Sequence, residues 1–385
     1  MSNDFKRKLD AYENGELSDS ELEEFEKELE KLEKYQEYLE ENKPEEAKGS
    51  TSNEKKQQKI LRRSKWKARR QTAFFAVGML LVFTIASSIL TAVYYSWGKP
   101  DRVDVLRNII DHTLTVTDPY GYTGGTSTNS KPFFGLEATR DLNKRVGTDM
   151  VKVGEMEVNF LFSMMAYPER KHLGNVSQNK PAFSYPGVGT RGMSDWKRLE
   201  QLPEGTVVSA YVSFAELLET EVVFQRFEGK DIDLIWLAVD SGMEAREGRD
   251  EGIIFDPIGF PNSPIWHDDD MILESREEEK GLFGSRIVSE GHSSPAYSEE
   301  DQKIFHKQFL KTLYFLKDHE RQANKLYFGF GGLDLSKRID FLEKNGVQHY
   351  GVVITGPTKE VLKLQEEAWV GDLEVDEVGF WNWND

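Results

Sequence analysis

The chain has 385 residues, no cysteine, and 67 acids against 49 lysines and arginines, a formal net charge of -18. At roughly 100–200 residues per domain, that length suggests two or more structural units. The absence of cysteine excludes a disulfide framework, a thiolate zinc site and a cysteine nucleophile together, and the acidic balance argues against nucleic acid as a partner.

Charge divides the chain before any periodicity is considered. Residues 1–48 carry 17 acids and 8 bases. Residues 49–70 carry nine bases (Lys55, Lys56, Lys59, Arg62, Arg63, Lys65, Lys67, Arg69 and Arg70) against Glu54 alone, and the remainder is acidic again.

Within residues 1–48, Phe5, Leu9 and Tyr12 are spaced by three and four, which predicts a short helix over 3–13 ended by Asn14-Gly15. Ser18 with Glu21 forms a capping-box pattern. The helix it opens carries Leu22, Phe25, Leu29, Leu32 and Leu39 on one face and ends at Lys43-Pro44. The prediction is an all-α helical hairpin with one apolar seam and an acidic outer surface. So small a unit buries too little surface to be very stable alone. Its seam therefore docks on a partner, or pairs in a coiled-coil dimer, or the unit is a solvated stalk; the residues leave these open. Gly49-Ser50-Thr51-Ser52-Asn53 reads as a flexible segment opening a basic linker over 49–71.

From Gln71 to Gly98 no residue is charged. A spanning helix needs roughly 20 apolar residues to cross about 30 Å of hydrocarbon, so 72–97 is predicted to be a transmembrane helix, with Tyr94, Tyr95 and Trp97 at the interfacial level. The bases before the span place the N-terminus in the cytoplasm and everything after residue 98 outside it. Thr84, Ser88 and Thr91 share a face, as do Ser87 and Thr91. Bonding back to their own helix is the simpler reading of these hydroxyls, a helix-contact stripe the other.

Beyond the span, residues 98–204 form a membrane-proximal region. Its stretch from 120 to 204, rich in Gly, Ser, Thr, Asn and Pro, reads mostly as loops, with strand candidates near Val151–Phe162. In 205–385, strands are predicted at Thr206–Phe214, Asp231–Asp240, Leu326–Phe330, Val347–Thr355 and toward Phe380. Helices are predicted at Ala215–Phe227, after Ser298 and Asp301 through Phe305, Phe309, Leu313 and Leu316, through Ile339, Phe341 and Leu342, and after Gly356-Pro357-Thr358. Such alternation predicts an α+β or α/β domain.

Signals for chemistry are weak. Gly187-Val188-Gly189-Thr190-Arg191-Gly192 matches a dinucleotide pattern but lacks a preceding strand, since Ser184-Tyr185-Pro186 comes before it. Trp266-His267-Asp268-Asp269-Asp270 offers oxygen and nitrogen ligands, yet consecutive aspartates diverge, and an exposed acidic loop is the better reading. The seven histidines include no H-E-x-x-H pair, and no G-x-S-x-G elbow occurs. No catalytic residue, metal site or cofactor is predicted.

Two sets of residues resemble a known family. Tyr12-Glu13-Asn14-Gly15-Glu16-Leu17-Ser18 with Glu21, Phe25 and Leu29 resembles the start of the anti-sigma domain found on bacterial membrane-bound regulators. The zinc-containing version of that domain carries His, Cys and Cys where this chain has Glu28, Leu32 and Tyr35, so the resemblance implies a zinc-free head. Leu202-Pro203-Glu204-Gly205-Thr206-Val207, Ala210–Phe214, Trp236–Asp240 and Gly351–Thr358 are similar to blocks of the C-terminal sigma-factor-regulator domain of low-GC Gram-positive bacteria, and the basic run with its span is similar to that family's N-terminal domain.

The resemblance implies an anti-sigma regulator in the cell membrane. Leu9, Tyr12, Leu17, Leu22, Phe25, Leu29 and Leu32, flanked by Glu21, Glu24 and Glu28, would hold an extracytoplasmic-function sigma factor. The outer domain would respond to an envelope ligand or a membrane co-regulator. The competing reading is a bitopic scaffold protein of the envelope using the head as a coiled coil.

Overall fold

The structure is a computed structural model that describes residues 7–8, 11–12, 18–41, 51–174, 181–187, 194–244, 252–281, 284–298, 301–327, 329 and 331–381. The chain divides into two compact units, Met1–Leu80 and Leu81–Asp385.

In the first unit, α1 (Asp19–Glu41) is the long helix of the predicted hairpin. The Ser18 backbone N–H and hydroxyl both donate to the Glu21 carboxylate, at 3.1 and 2.5 Å, which supplies the reach-back half of the capping box. Residues 7–8 and 11–12 are helical, while Asn14-Gly15, Lys43-Pro44 and the seam positions Leu9 and Leu17 lie outside the described residues. Helix α2 (Thr51–Tyr95) is 45 residues long and continues from this unit into the second. The predicted linker is therefore corrected from Thr51 onward. Its Lys, Arg and Gln residues are good helix formers, and the apolar run extends the helix without a break. The part Gln58–Tyr95 is long and apolar enough to cross a membrane.

The second unit takes in the last turns of α2. Helix α3 (Arg102–Thr117) follows, its N-cap Asp101 accepting from the Asp104 N–H at 2.7 Å. Strands β1 (Ser127–Lys131), β2 (Gly135–Val146), β3 (Asp149–Leu161), β4 (Met164–Met165) and β5 (Glu169–His172) make an antiparallel sheet ordered β1-β2-β3-β4, with β5 also on β3. Gly147, at φ +62°, supplies the left-handed residue in the short β2–β3 turn. The inner face of this sheet (Leu136, Ala138, Met156, Val158, Phe160) packs on Leu106, Ile109, Ile110 and Leu114 of α3. Much of the region expected to be loops is thus a sheet. Arg140-Asp141-Leu142-Asn143-Lys144-Arg145 reads as a polar loop because only alternate residues of β2 face a core.

After β6 (Phe183–Ser184) and α4 (Trp196–Glu200) comes β7 (Thr206–Glu219), then α5 (Thr220–Phe227), β8 (Asp233–Val239), β9 (Ile253–Ile254) and β10 (Gly259–Pro261). The hairpin β11 (Ile272–Gly281) and β12 (Gly284–Ser293) leads to α6 (Gln302–Asp318), α7 (Glu320–Leu326) and α8 (Leu335–Asn345). The chain closes with β13 (Gln348–Pro357), α9 (Thr358–Leu362) and β14 (Val370–Phe380).

The second sheet is ordered β10-β8-β13-β7-β14 with every pairing antiparallel, which selects α+β over α/β. Its central strands are buried on both faces. One face packs Val208, Val212 and Phe214 against α6 and α8 through Phe305, Phe309, Leu313, Ile339 and Leu342. The other holds Tyr211, Trp236, Tyr350 and Val353 with Phe183 and Tyr120.

Two predicted elements shift. Ala215–Glu219 continues β7, so the predicted helix begins only at Thr220. Leu326 ends α7, and Gly329 and Gly331 lie outside any strand, so no strand forms there among the described residues. The apolar run is too short to distinguish a buried helix end from a strand.

Candidate functional site

At about 100° per residue, Leu22, Phe25, Leu29, Leu32 and Leu39 of α1 fall within an arc of about 100°. Glu21, Glu24 and Glu28 lie within about 60° of one another along one flank of that arc, and all three are exposed. The apolar residues behave differently from one another. Phe25 is fully buried, its ring 5.5 Å from Tyr12 in a tilted contact, so it belongs to the internal packing of the head. Leu29 is half-buried. Leu22 and Leu32 stay 36% and 43% exposed, as does Leu39 at 50%. The described part of the seam thus presents an open leucine row beside an acidic flank. The Glu21 carboxyl is held below the usual carboxylate range, first by the Ser18 hydroxyl and then by the Ser18 N–H.

In the second unit a cavity of about 580 Å³ lies where the end of α3, β2 and β5 meet β7 and β14. Its wall is mixed, and many of its polar groups pair with one another. Tyr120 donates to Asp376 at 2.8 Å and meets the Ser209 hydroxyl, while Lys144 Nζ approaches the other Asp376 oxygen at 2.5 Å. Arg140 bonds Asp111 and the carbonyls of Gly121 and Gly124. Tyr211, from the centre of β7, also lines the cavity. Burial pushes its phenol well above the usual range, and the Asp376, Asp118 and Glu374 charges push it further. Burial pulls the Arg170 guanidinium down, with Asp118 opposing. Sequence reasoning missed this cavity because most of its wall comes from the stretch read as loops. Tyr211, a hydroxyl-bearing ring among the apolar and small residues of Thr206–Val212, is the one signal the sequence offers.

The acidic run is used internally. Lys311 Nζ bridges Asp269 and Asp270 at 2.7 and 2.8 Å, and Asp268 takes a bond from Asn108 at 3.0 Å. His267 bonds Thr312 at 2.9 Å. Among the described residues no group of three or more His, Asp or Glu is arranged to hold a metal ion. The Thr220 hydroxyl sits between His306 Nε2 at 2.7 Å and His349 Nε2 at 2.8 Å, and His349 Nδ1 lies 3.1 Å from the Ala238 carbonyl. That carbonyl requires a proton on Nδ1, so His349 Nε2 accepts from Thr220, which in turn accepts from His306. Of the Gly187–Gly192 run, all but Gly187 lies outside the described residues.

Comparison with known proteins bears on both units. The family model described as sigma factor regulator N-terminal matches residues 58–151, and the one described as sigma factor regulator C-terminal matches residues 199–377. A Bacillus subtilis (strain 168) protein described as probable anti-sigma-M factor YhdL is 28% identical over 391 residues, the alignment covering 100% of each chain. No solved structure matches.

Proposed function

We propose, for a chain that belongs to the sigma factor regulators, that its head captures an extracytoplasmic-function sigma factor and holds it at the membrane. Membership of that family supports negative regulation of a sigma factor from a membrane anchor, and the role is regulatory rather than catalytic. The finer reading is carried by one observation: the leucine row of α1, with Leu22 and Leu32 exposed beside Glu21, Glu24 and Glu28. An amphipathic helix with an open apolar row suits a hydrophobic groove on a partner, and the acidic flank steers it toward a basic surface. Leu9 and Leu17 extend the same seam in sequence. The nine bases before the apolar part of α2 support a cytoplasmic head. The outer domain then faces the envelope, where the cavity beneath Tyr120 and Tyr211 would take a small envelope ligand.

The test is capture of the host's small sigma factors by the full chain in nanodiscs, with and without Leu22→Asp and Leu32→Asp together. Each leucine buried by a partner contributes about 1.5 kcal/mol, so the double variant is expected to weaken binding by about 3 kcal/mol, on the order of 100-fold. Equal capture by both forms would sink the proposal. So would an intact head that forms a stable homodimer and ignores every sigma factor of the host.

A further inference from the structure

We propose that the outer domain is sunk into the membrane: the turns at one end of its first sheet enter the hydrocarbon of the outer leaflet beside α2. The proposal rests on α2 crossing the membrane and is independent of what the head binds.

Depth follows from counting along the helix. Arg70 is the last charge before the apolar run. About 20 residues at 1.5 Å each cross about 30 Å of hydrocarbon, which puts the outer boundary near Leu90 and Thr91. The turn after β1 does not stop at that level. The Phe133 N–H donates to Ser87 Oγ at 2.7 Å, and the Phe133 ring lies 5.7 Å from the ring of Phe83. Phe83 is eight residues inside the boundary, about 12 Å deep.

The backbone of these turns is bonded as a lipid environment demands. Non-helical backbone at membrane depth must find partners within the protein, because acyl chains offer none. Phe134 N–H donates to Thr91 Oγ1 at 2.9 Å, and Phe162 N–H donates to the Phe134 carbonyl at 2.9 Å. The Tyr95 hydroxyl lies 2.9 Å from the carbonyls of both Phe134 and Phe162. Thr91 and Tyr95 are fully buried by these contacts.

The side chains are arranged for lipid as well. Phe133, Phe134 and Phe162 have φ of 64°, 60° and 54°, a left-handed region that bulky residues rarely occupy. Phe134 and Phe162 stack on each other at 4.5 Å and meet Tyr94 edge-on. Phe133 and Met164 remain 51% and 64% exposed. Their apolar surface continues that of α2, where Leu81, Val82, Phe83, Ile85, Ile89 and Leu90 are exposed. The occupant is therefore the acyl chain of a lipid. Arg102, stacked 4.4 Å over Tyr94 and bonded to its carbonyl at 2.8 Å, sits where headgroups would begin.

The chain has no cysteine, so single nitroxide labels can be placed without background. The full chain carrying Phe133→Cys, Met164→Cys or Met150→Cys would be reconstituted in vesicles of phosphatidylethanolamine and phosphatidylglycerol. Met150 lies toward the other end of β3, roughly 36 Å along the strand from Leu161, and is 50% exposed. Labels at 133 and 164 should collide several-fold more often with oxygen than with a water-soluble nickel complex, and the label at 150 should show the reverse. Should Phe133→Cys fail to fold, Met164→Cys alone decides the matter. A label at 164 that meets the nickel complex as often as one at 150 overturns the proposal.

Discussion

Replacing His112 by Phe should stabilise the second unit in acid relative to neutral pH. The ring is buried on α3, 4.2 Å from the ring of His267 and 5.4 Å edge-on from Phe315, and its Nε2 has no hydrogen-bond partner among the described residues. Burial first, then the neighbouring His267 and Lys311, hold its pKa down to about 3. An unfolded histidine titrates near 6.5. The folded form therefore stays neutral while the unfolded form gains a proton, and stability is lost as pH falls from about 6.5 toward 3. At pH 5 the unfolded state is about 1.5 units below its pKa, which corresponds to about 2 kcal/mol. That figure hardly changes if the folded pKa is nearer 4 than 3. Phenylalanine keeps a planar aromatic ring, slightly larger than imidazole, and has no proton to gain. At pH 7.5 it removes the buried nitrogen without a partner, a gain of about 1 kcal/mol that the larger ring offsets in part. Urea unfolding of the full chain in nanodiscs, followed by tryptophan fluorescence, should give a variant-minus-parent difference about 2 kcal/mol larger at pH 5 than at pH 7.5. Carboxylates cancel in that difference. Equal differences at the two pH values would refute the assignment of a neutral buried ring.

Glu244→Ala removes a carboxylate 2.5 Å from the guanidinium of the wholly buried Arg338 and should destabilise by about 3 kcal/mol; thermal unfolding measures it. Thr220→Val removes the hydroxyl between His306 and His349 and should destabilise by about 1–3 kcal/mol, seen as a lower urea midpoint. Ser18→Ala removes the hydroxyl that donates to the Glu21 carboxylate at the start of α1 and should be read as faster amide exchange in its first turn.

Legibility in the sequence follows how one-sided the burial is. Helix α6 is readable because Phe305, Phe309, Leu313 and Leu316 recur at helical spacing and all face the core. Strands β8 and β13 are readable because both faces are covered, so the whole run is apolar. Strand β2 is not, because its solvent face carries Thr139 and Asp141 beside a buried Arg140, and the alternation is masked by a charge that faces inward. The boundary of β7 with α5 is blurred for another reason. Leu217 and Leu218 suit either element, and only pairing with β13 through Leu218 and Glu219 holds them extended. The cavity depends on residues from α3, β2, β5, β7 and β14 converging, and such convergence leaves no local trace in a sequence.

The hydroxyls of α2 give the sharpest instance. Bonding to their own helix and contacting another element look like alternatives in the sequence, yet a hydroxyl has one proton to give and two lone pairs to accept with. Thr91 uses both capacities, donating to the Ser87 carbonyl at 2.8 Å while accepting from Phe134 N–H at 2.9 Å. Ser88, donating to the Thr84 carbonyl at 2.9 Å, shows the first use alone. What separates the two residues is the partner each meets: Thr91 lies under the Phe134 turn, and Ser88 has rotated about 60° away from it around the helix. A hydroxyl facing that turn accepts as well, because the turn directs the Phe133 and Phe134 N–H groups at the helix. Side-chain chemistry in α2 is therefore set by a turn more than forty residues downstream, in a stretch whose own composition suggests only a loop.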